Sequence, residues 1–170
     1  MSRAFVKGDA VGEAAIVPRR APLAEGVANL VTHSGLAALQ TERETLSSEM
    51  RRLEAGPQDV PERLRALLVV RERLAELVER LASARLAPPP RNPARDVALG
   101  ALVTVRRGSA ELRFRIVGVD EADPAQARVA FTAPTAAAVL GRRVGDVIES
   151  AGLAQSVTIL AVHYDDAGSA

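Results

Sequence analysis

Apolar residues recur every seven positions in two adjacent segments of this chain, and this pattern limits the possible folds more than any other feature. In the first segment the seam positions of the heptad hold Leu36, Leu39, Arg43, Leu46, Met50 and Leu53. In the second segment they hold Leu67, Val70, Leu74, Leu77, Leu81 and Ala84. Apolar residues at this spacing form one stripe along an α-helix, and the stripe packs against a partner helix. The pattern therefore predicts two long amphipathic helices.

Proline and glycine mark where these helices end. Gly56-Pro57 ends the first helix and Pro88-Pro89-Pro90 ends the second, because proline lacks the amide hydrogen that a helix needs. A connection of only about five residues forces the two helices to be antiparallel neighbours. We predict a coiled-coil hairpin over residues 32–86 that projects about 35 Å at 1.5 Å per residue.

The segments that flank the hairpin differ from it in composition. Residues 1–31 carry scattered glycine and proline without a sustained period, which predicts an extended or disordered arm. The run APPPRNPARD, residues 87–96, predicts a semi-rigid linker. Residues 97–165 alternate apolar and polar side chains in short runs, which predicts a small antiparallel β-sheet with one short helix, and residues 166–170 form a tail. The predicted fold class is α+β.

Composition excludes several kinds of site. The chain has no cysteine and only two histidines, so thiolate and histidine-rich metal sites are excluded. Its net charge of +1 does not indicate the basic surface of a nucleic-acid-binding protein, and we expect no nucleic-acid site. No segment has the pattern of a signal peptide or approaches the ~18 apolar residues of a membrane span. We expect a cytoplasmic protein without a membrane partner.

The connection between the two helices carries the only residues arranged for chemistry. Asp59 and Glu62 lie three residues apart at the predicted start of the second helix. Two such carboxylates are candidate ligands for Mg²⁺, which prefers oxygen donors. The same spacing also fits a capping box, in which Asp59 caps the helix and Glu62 reaches back to it. We favour the capping box because it is a common arrangement.

Two further observations bear on chemistry elsewhere in the chain. The acidic run Asp120-Glu121-Ala122-Asp123 precedes Pro124, and an Asp-Pro pair is a turn signal, so we predict a solvated turn there. No paired nucleophile and base and no phosphate-binding loop occur. The sequence therefore does not predict an enzyme, and we expect no cofactor of its own.

Four sequence blocks follow one another in the last third of the chain. They are GALVTV, FRIVGVDEAD, TAPTAAAVLG with VGD two residues later, and a closing strand that ends in His163-Tyr164. In this order and spacing they resemble the C-terminal domain of the Gre-type transcript cleavage factors, which bind bacterial RNA polymerase. The resemblance implies a domain similar in fold to the FK506-binding proteins, and a hairpin that enters the secondary channel of the polymerase.

The resemblance also gives the hairpin tip a meaning. In the family an acidic tip motif, Gly-Asp-x-x-Glu-Asn-Ala, helps hold a second Mg²⁺ at the polymerase active centre for hydrolysis of backtracked RNA. Asp59 and Glu62 match its two acidic positions, but Arg63-Leu64 replaces the Asn-Ala and Pro57-Gln58 intrudes after the glycine. Each helix is also about one heptad shorter than in the family, which withdraws the tip by about 10 Å.

Part of the family's docking surface corresponds to Ala133, Pro134 and Leu140 in this chain. We therefore expect a monomeric, shortened-coil member of the family that binds RNA polymerase and modulates elongation. One alternative is a transcript cleavage factor that uses the acidic tip. A second alternative is a non-catalytic adaptor whose coiled coil pairs with another protein. We favour modulation because the tip motif is altered and the coil is short.

Overall fold

Two long helices followed by a small sheet domain make up the computed structural model of this protein, which describes residue 20 and residues 22–56, 60–149 and 155–164. The elements in chain order are β1 (Leu30–Val31), α1 (His33–Ala55), α2 (Pro61–Ser83), β2 (Arg85–Leu86), β3 (Leu102–Arg107), β4 (Ala110–Val117), β5 (Arg128–Ala130), α3 (Pro134–Val139), β6 (Val147–Ile148) and β7 (Val157–His163). The predicted fold class, a helical hairpin followed by a sheet domain with one short helix, is confirmed.

The hairpin packs through the predicted apolar seam. Helices α1 and α2 have 23 residues each, as the heptad count predicts. The buried members of the seam cluster are Val31, Leu39, Leu46, Val70 and Leu77. Arg43 occupies a seam position in the heptad but is exposed, so the seam is not continuous along α1. Within the described residues no helix has both the length and the apolar character to cross a membrane.

The sheet of the C-terminal domain has the strand order β5-β4-β3-β7-β6. All neighbouring strands are antiparallel except β4 and β5, which are parallel, and in this one pair the sheet departs from the predicted antiparallel arrangement. The reason is the connection: two 3₁₀ turns, Val119–Glu121 and Pro124–Gln126, carry the chain across before β5 begins. Val103 and Val105 on β3 are fully buried and alternate with more exposed residues, as the period-two pattern predicts.

The segments predicted as an arm and a linker make more contacts than expected. Residues 1–19, 21 and 165–170 lie outside the described residues, but the end of the predicted arm forms β1, which pairs in parallel with β2. In the predicted linker, the Asn92 backbone N–H donates to Asp96 at 3.0 Å, and Arg143 donates to Asp96 at 3.1 Å. Residues 92–96, the end of the predicted semi-rigid linker, therefore form a turn attached to the C-terminal domain.

Candidate functional site

The base of the hairpin is attached to the C-terminal domain by the carboxylate of Glu121. Its Oε1 accepts the backbone N–H of Thr32 at 3.0 Å, and its Oε2 accepts the Thr32 hydroxyl proton. Oε1 also accepts the backbone N–H of Gly118 at 3.1 Å, which fixes the carboxylate within its own domain. Thr32 is the N-cap of α1, and its Oγ1 accepts the N–H of Gly35 at 2.9 Å. In a capping box an acidic residue of the same helix receives the N-cap N–H; here a residue of the other domain does so.

Gly35 provides the space that the Glu121 side chain occupies. A Cβ added to Gly35 would lie 2.1 Å from Cδ and 2.2 Å from Oε1 of Glu121, well inside the distance of any real contact. Gly35 is buried in the first turn of α1, so a larger residue there would displace the carboxylate. Glycine inside a helix costs about 1 kcal/mol relative to alanine, and the close approach of Glu121 explains why it is present.

Asp120, the neighbour of Glu121, binds two arginines from distant parts of the chain. Arg20 donates to Asp120 Oδ1 at 3.1 Å and also to Glu42 on α1. The Nε of Arg80 on α2 lies 3.4 Å from Asp120 Oδ2, and both side chains are less than a tenth exposed. Burial lowers the pKa of Arg20, but its hydrogen bonds to Glu42 and Asp120 outweigh that effect and raise the pKa overall. Arg20 therefore stays charged, and the ion pairs of the cluster link both helices to the domain.

Asn29, which precedes β1, attaches the segment ahead of α1 to the end of α2. Its side chain is 4% exposed, and Nδ2 donates to the backbone carbonyl of Arg80 at 2.8 Å and to Oγ of Ser83 at 3.1 Å. The Arg80 carbonyl belongs to the last turn of α2, where carbonyls have no partner within the helix. This carbonyl also accepts the hydroxyl proton of Ser83 at 3.0 Å, so Asn29 and Ser83 together satisfy it.

The predicted solvated turn at residues 120–123 is wrong for Asp120 and Glu121, which contact the base of the hairpin. The contacts of Glu121 with Thr32 and of Asp120 with Arg20 and Arg80 are called the joint below. Only Asp123 behaves as predicted, since its side chain caps the following 3₁₀ turn. The partners of the other two lie on the hairpin, too far away in sequence for a local pattern to pair them. The one available signal was Gly35, because a glycine inside a helical pattern indicates a close approach or another special role.

The tip of the hairpin is described only in part. Asp59 lies outside the described residues, so its role stays a prediction. Helix α2 begins at Pro61 and has Val60 at its N-cap, with no side-chain hydrogen bond to the cap. This start differs from the predicted capping box, which has Asp59 at the N-cap, because the proline takes the first helical position. Glu62 is the second residue of the helix, and it is exposed.

Arg63 connects the two helices at the tip. Its Nε donates to the carbonyl of Leu53, and its Nη2 donates to the carbonyl of Glu54 at 3.0 Å. Both carbonyls belong to the last turn of α1, where they lack helical partners and carry the negative end of the helix dipole. The guanidinium of Arg63 therefore caps α1 from the first turn of α2, a role that the sequence did not indicate.

The described residues do not form a metal site by themselves. Among them, no three histidine, cysteine or acidic side chains lie close enough together to hold an ion. Glu62 is the only carboxylate of the tip motif that is described, and one exposed carboxylate is a weak ligand for Mg²⁺. The tip can therefore contribute to a metal site only together with donors from Asp59 or from another molecule.

The predicted docking residues lie at the two ends of α3. Ala133 is the N-cap and is half-buried, Pro134 is the first helical residue and is exposed, and Leu140 is the C-cap and packs against the domain core. Pro134 is therefore the most accessible of the three. On β6, Val147 is 61% exposed and adds another apolar side chain to the surface of this domain. The docking role of these residues stays a prediction.

Comparison with known proteins finds relatives for this chain. The family model described as "Transcription elongation factor, GreA/GreB, C-term" matches residues 92–164. Transcription elongation factor GreA of Beijerinckia indica is 35% identical over 96 residues, which cover 54% of this chain and 61% of that protein. GreA of Hyphomonas neptunium is 36% identical over 81 residues, which cover 46% of this chain and 52% of that protein. The chain thus spans between about half and three-fifths of the length of these relatives.

A likeness to a solved structure extends over more of the chain. The prokaryotic transcription elongation factor GreA/GreB from Nitrosomonas europaea matches 79% of this chain and 98% of its own chain, with 23% identity and a TM-score of 0.38.

Proposed function

We propose that the chain is a member of the GreA/GreB family of transcription elongation factors, whose C-terminal family model matches residues 92–164, and that it binds bacterial RNA polymerase and modulates elongation from the secondary channel. The C-terminal domain docks at the rim of the channel, and the ends of α3 supply part of the docking surface through Ala133, Pro134 and Leu140. The hairpin then enters the channel. One copy of the chain binds one polymerase, in the cytoplasm.

The attachment of the hairpin to the C-terminal domain carries this proposal. Docking of one domain can aim the hairpin into a channel only if the angle between the two is fixed. Glu121 binds the cap of α1, and Asp120 binds Arg80 on α2, so each helix has its own connection to the docking domain. An adaptor with a flexibly attached hairpin would not need these contacts between the hairpin and the domain.

The tip favours modulation over transcript cleavage. Cleavage in this family requires carboxylates that share Mg²⁺ with the polymerase, and the ion would supply charge stabilisation for hydrolysis of the RNA backbone. In this chain Arg63 is engaged by carbonyls of α1, and Glu62 is the one described carboxylate of the motif. The chain itself performs no reaction and needs no cofactor of its own; it changes the activity of the polymerase.

The adaptor alternative fits the hairpin less well. In the seam between the helices, Leu46 is 3% exposed and Leu77 is fully buried. An adaptor that pairs its coiled coil with another protein through this seam would first have to separate α1 from α2. The seam is therefore the core of the hairpin and not a binding surface.

The test is a transcription assay with a stalled, backtracked complex of the cognate polymerase, with binding measured separately. We expect binding and a change in elongation rate, with little stimulation of RNA cleavage. Asp59→Asn and Glu62→Gln should leave both unchanged. Strong Mg²⁺-dependent cleavage that disappears in Asp59→Asn at equal affinity would return the chain to the cleavage factors. Absence of any binding to the polymerase would contradict the whole proposal.

A further inference from the structure

A small cavity lies where the turn at residues 92–96 meets the segment that follows α3. It measures about 230 Å³, and the residues that line it are Arg91, Asn92, Arg95, Asp96 and Arg143. Three of these five residues are arginines, and they come from two segments that are far apart in the sequence. Pockets for drug-sized ligands measure about 300–1,000 Å³, so this cavity has the size for a small ligand.

Backbone hydrogen bonds fix the two segments to each other. The N–H of Val97 donates to the carbonyl of Arg142 at 2.8 Å, and the N–H of Val144 donates to the carbonyl of Arg95 at 3.0 Å. These two bonds lie on either side of Arg143. The backbone from which the arginines project is therefore set before a ligand binds, which lowers the entropy cost of binding.

Positive charge exceeds negative charge in this cavity. Asp96 is the acidic residue among those that line it, and both of its oxygens are engaged. Oδ1 accepts the Nε proton of Arg143 at 3.1 Å, and Oδ2 accepts the backbone N–H of Asn92 at 3.0 Å. Arg91 and Arg95 are exposed, and neither forms an ion pair with the described part of the chain. The cavity is thus more positive than the chain as a whole, whose net charge is +1.

The arrangement of the arginines favours phosphate over carboxylate. Guanidinium groups bind both kinds of anion through pairs of N–H donors. A phosphate group presents three strong acceptor oxygens in a tetrahedral arrangement, whereas a carboxylate presents two oxygens in one plane. Arginines that reach a cavity from two segments can each bind a different oxygen of a phosphate. Two linked phosphates also carry more negative charge than one carboxylate, which matches the positive excess.

We propose that this cavity binds a small molecule through two linked phosphate groups. Arg91 and Arg95 donate to the phosphate oxygens. Asp96 holds Arg143 through Nε, and the guanidinium of Arg143 has further N–H donors for the ligand. The phosphates can be free or belong to a nucleotide, whose sugar and base would remain outside a cavity of this size. The inference does not depend on the proposed function.

Isothermal titration calorimetry of the full chain with pyrophosphate, at low ionic strength and without Mg²⁺, tests the proposal. We expect one pyrophosphate to bind per chain with a Kd below about 1 mM, an affinity that a few charge-assisted hydrogen bonds can supply. The affinity should fall as salt is added, because exposed charges are screened. Inorganic phosphate and citrate, titrated in the same way, should bind several-fold more weakly than pyrophosphate.

Two substitutions test the assignment of the residues. Arg95→Gln should weaken pyrophosphate binding about tenfold, because it removes hydrogen bonds to a charged ligand, and Arg91→Gln should act in the same direction. Both side chains are exposed, so the far-ultraviolet circular dichroism spectrum should not change. Arg107→Gln is the matched control. It removes the same charge from an exposed position at the end of β3 in the same domain, and it should bind pyrophosphate like the parent.

A nucleoside diphosphate distinguishes the two sources of the phosphates. Equal affinity for pyrophosphate and the nucleoside diphosphate would show that the phosphates alone are recognised, whereas clearly tighter binding of the nucleoside diphosphate would identify a nucleotide as the ligand. Both results support the proposal.

Three outcomes would overturn the proposal. The first is the absence of saturable pyrophosphate binding; if Arg95→Gln then weakens binding to RNA polymerase, the arginines contact a protein and not a small anion. The second is citrate binding as tight as pyrophosphate binding, which would mean that phosphate is not preferred. The third is an equal loss of affinity in Arg107→Gln and Arg95→Gln, which would show that only the net charge of the chain matters.

Discussion

Glu121 caps a helix that belongs to the other domain: its Oε1 lies 3.0 Å from the backbone nitrogen of Thr32, 89 residues earlier in the chain. The N-cap N–H and hydroxyl of Thr32 therefore depend on the C-terminal domain for their partner. Hydrogen bonds to a charged group contribute more than neutral ones, about 1.5–3 kcal/mol. The pose of the hairpin and the stability of its first turn are thus coupled through one side chain.

Replacement of Glu121 by glutamine tests this coupling. Glu121→Gln keeps the size of the side chain but replaces one acceptor oxygen with an NH₂ group, which cannot accept from Thr32. We expect the free energy of unfolding to fall by about 1–3 kcal/mol, measured by urea denaturation. Glu111→Gln is the control, because the Glu111 side chain is 61% exposed and its Oε1 lies 3.9 Å from Nη2 of Arg106. Loss of this exposed charge should change the free energy of unfolding by less than about 0.5 kcal/mol. Equal effects of the two substitutions on the free energy of unfolding would contradict the hydrogen bonds between Glu121 and Thr32.

Replacement of Gly35 by alanine should change the free energy of unfolding in the direction opposite to that usual in a helix. Alanine normally stabilises a helix by about 1 kcal/mol relative to glycine. Here the added Cβ would lie 2.1 Å from Cδ of Glu121, so Gly35→Ala should destabilise the protein. In the background of Glu121→Ala the obstacle is gone, and the same substitution should become stabilising. A double-mutant cycle measured by thermal unfolding checks this reversal; additive effects would mean that the two residues do not interact.

A charge at the centre of the hairpin seam should unfold the hairpin selectively. Leu46 is 3% exposed, and Leu46→Asp would bury an unpaired carboxylate, which costs several kcal/mol. We expect most helical circular dichroism to be lost while the sheet core persists, because Val103, Ile116 and the other core residues of the sheet pack without help from α1. Gln40→Asp introduces the same residue at an exposed position of α1 and should leave the hairpin folded. Loss of both domains together in Leu46→Asp would show that they fold as one unit.

Tyr164 should make stability depend on alkaline pH. Its hydroxyl donates to the carbonyl of Asp96 and accepts the N–H of Ala98, both at 2.8 Å. Burial raises the pKa of Tyr164 above its ordinary value of 10.0; the charge of Asp96 also raises the pKa, and the hydrogen bond from Ala98 partly opposes it. The unfolded chain therefore loses its phenolic proton first. The stability that Tyr164 contributes is fully present below pH 10 and is lost as the pH rises from there through the pKa of Tyr164 in the folded state.

Ultraviolet absorbance of the phenolate measures this pKa directly, because the chain has one tyrosine and no tryptophan. Tyr164→Phe should lower the free energy of unfolding at neutral pH by about 1–2 kcal/mol, because its hydrogen bonds are lost. The part of the decrease in stability at alkaline pH that comes from Tyr164 should be absent in this variant. Titration of the folded protein at the ordinary pKa of a free phenol would contradict the raised value.

Patterns with a short period in the sequence were enough to predict both main parts of this fold. Seven-residue spacing places Leu39, Leu46 and Leu77 in the seam, and alternation along β3 places Val103 and Val105 in the sheet core. These patterns are local, because each residue's burial follows from the periodicity of its own helix or strand. Leu68 lies outside the heptad seam of α2, and its exposure agrees with that pattern.

The joint and the parallel strand pair could not be predicted in this way. Glu121 and Asp120 lie in a short acidic run before a proline, which has the composition of a solvated turn, and their partners are set by tertiary packing. The sequence does not specify whether β5 returns beside β4 or crosses over, since alternation is the same in parallel and antiparallel strands at a sheet edge. The capping role of Arg63 at the tip could not be predicted either, because its partners are backbone carbonyls that belong to no motif.

The short parallel pair of β1 and β2 has a consequence for how this protein can change over evolution. Leu30 pairs with Arg85 and Val31 with Leu86, so the chain enters and leaves the hairpin at one place, beside the joint. The reach of the hairpin depends on the number of heptads beyond that place, whereas its direction depends on residues at or below it. Removing or adding one heptad in each helix moves the tip by about 10 Å and leaves the base unchanged. The reach of the hairpin can therefore be selected, or engineered, without a change in the C-terminal domain.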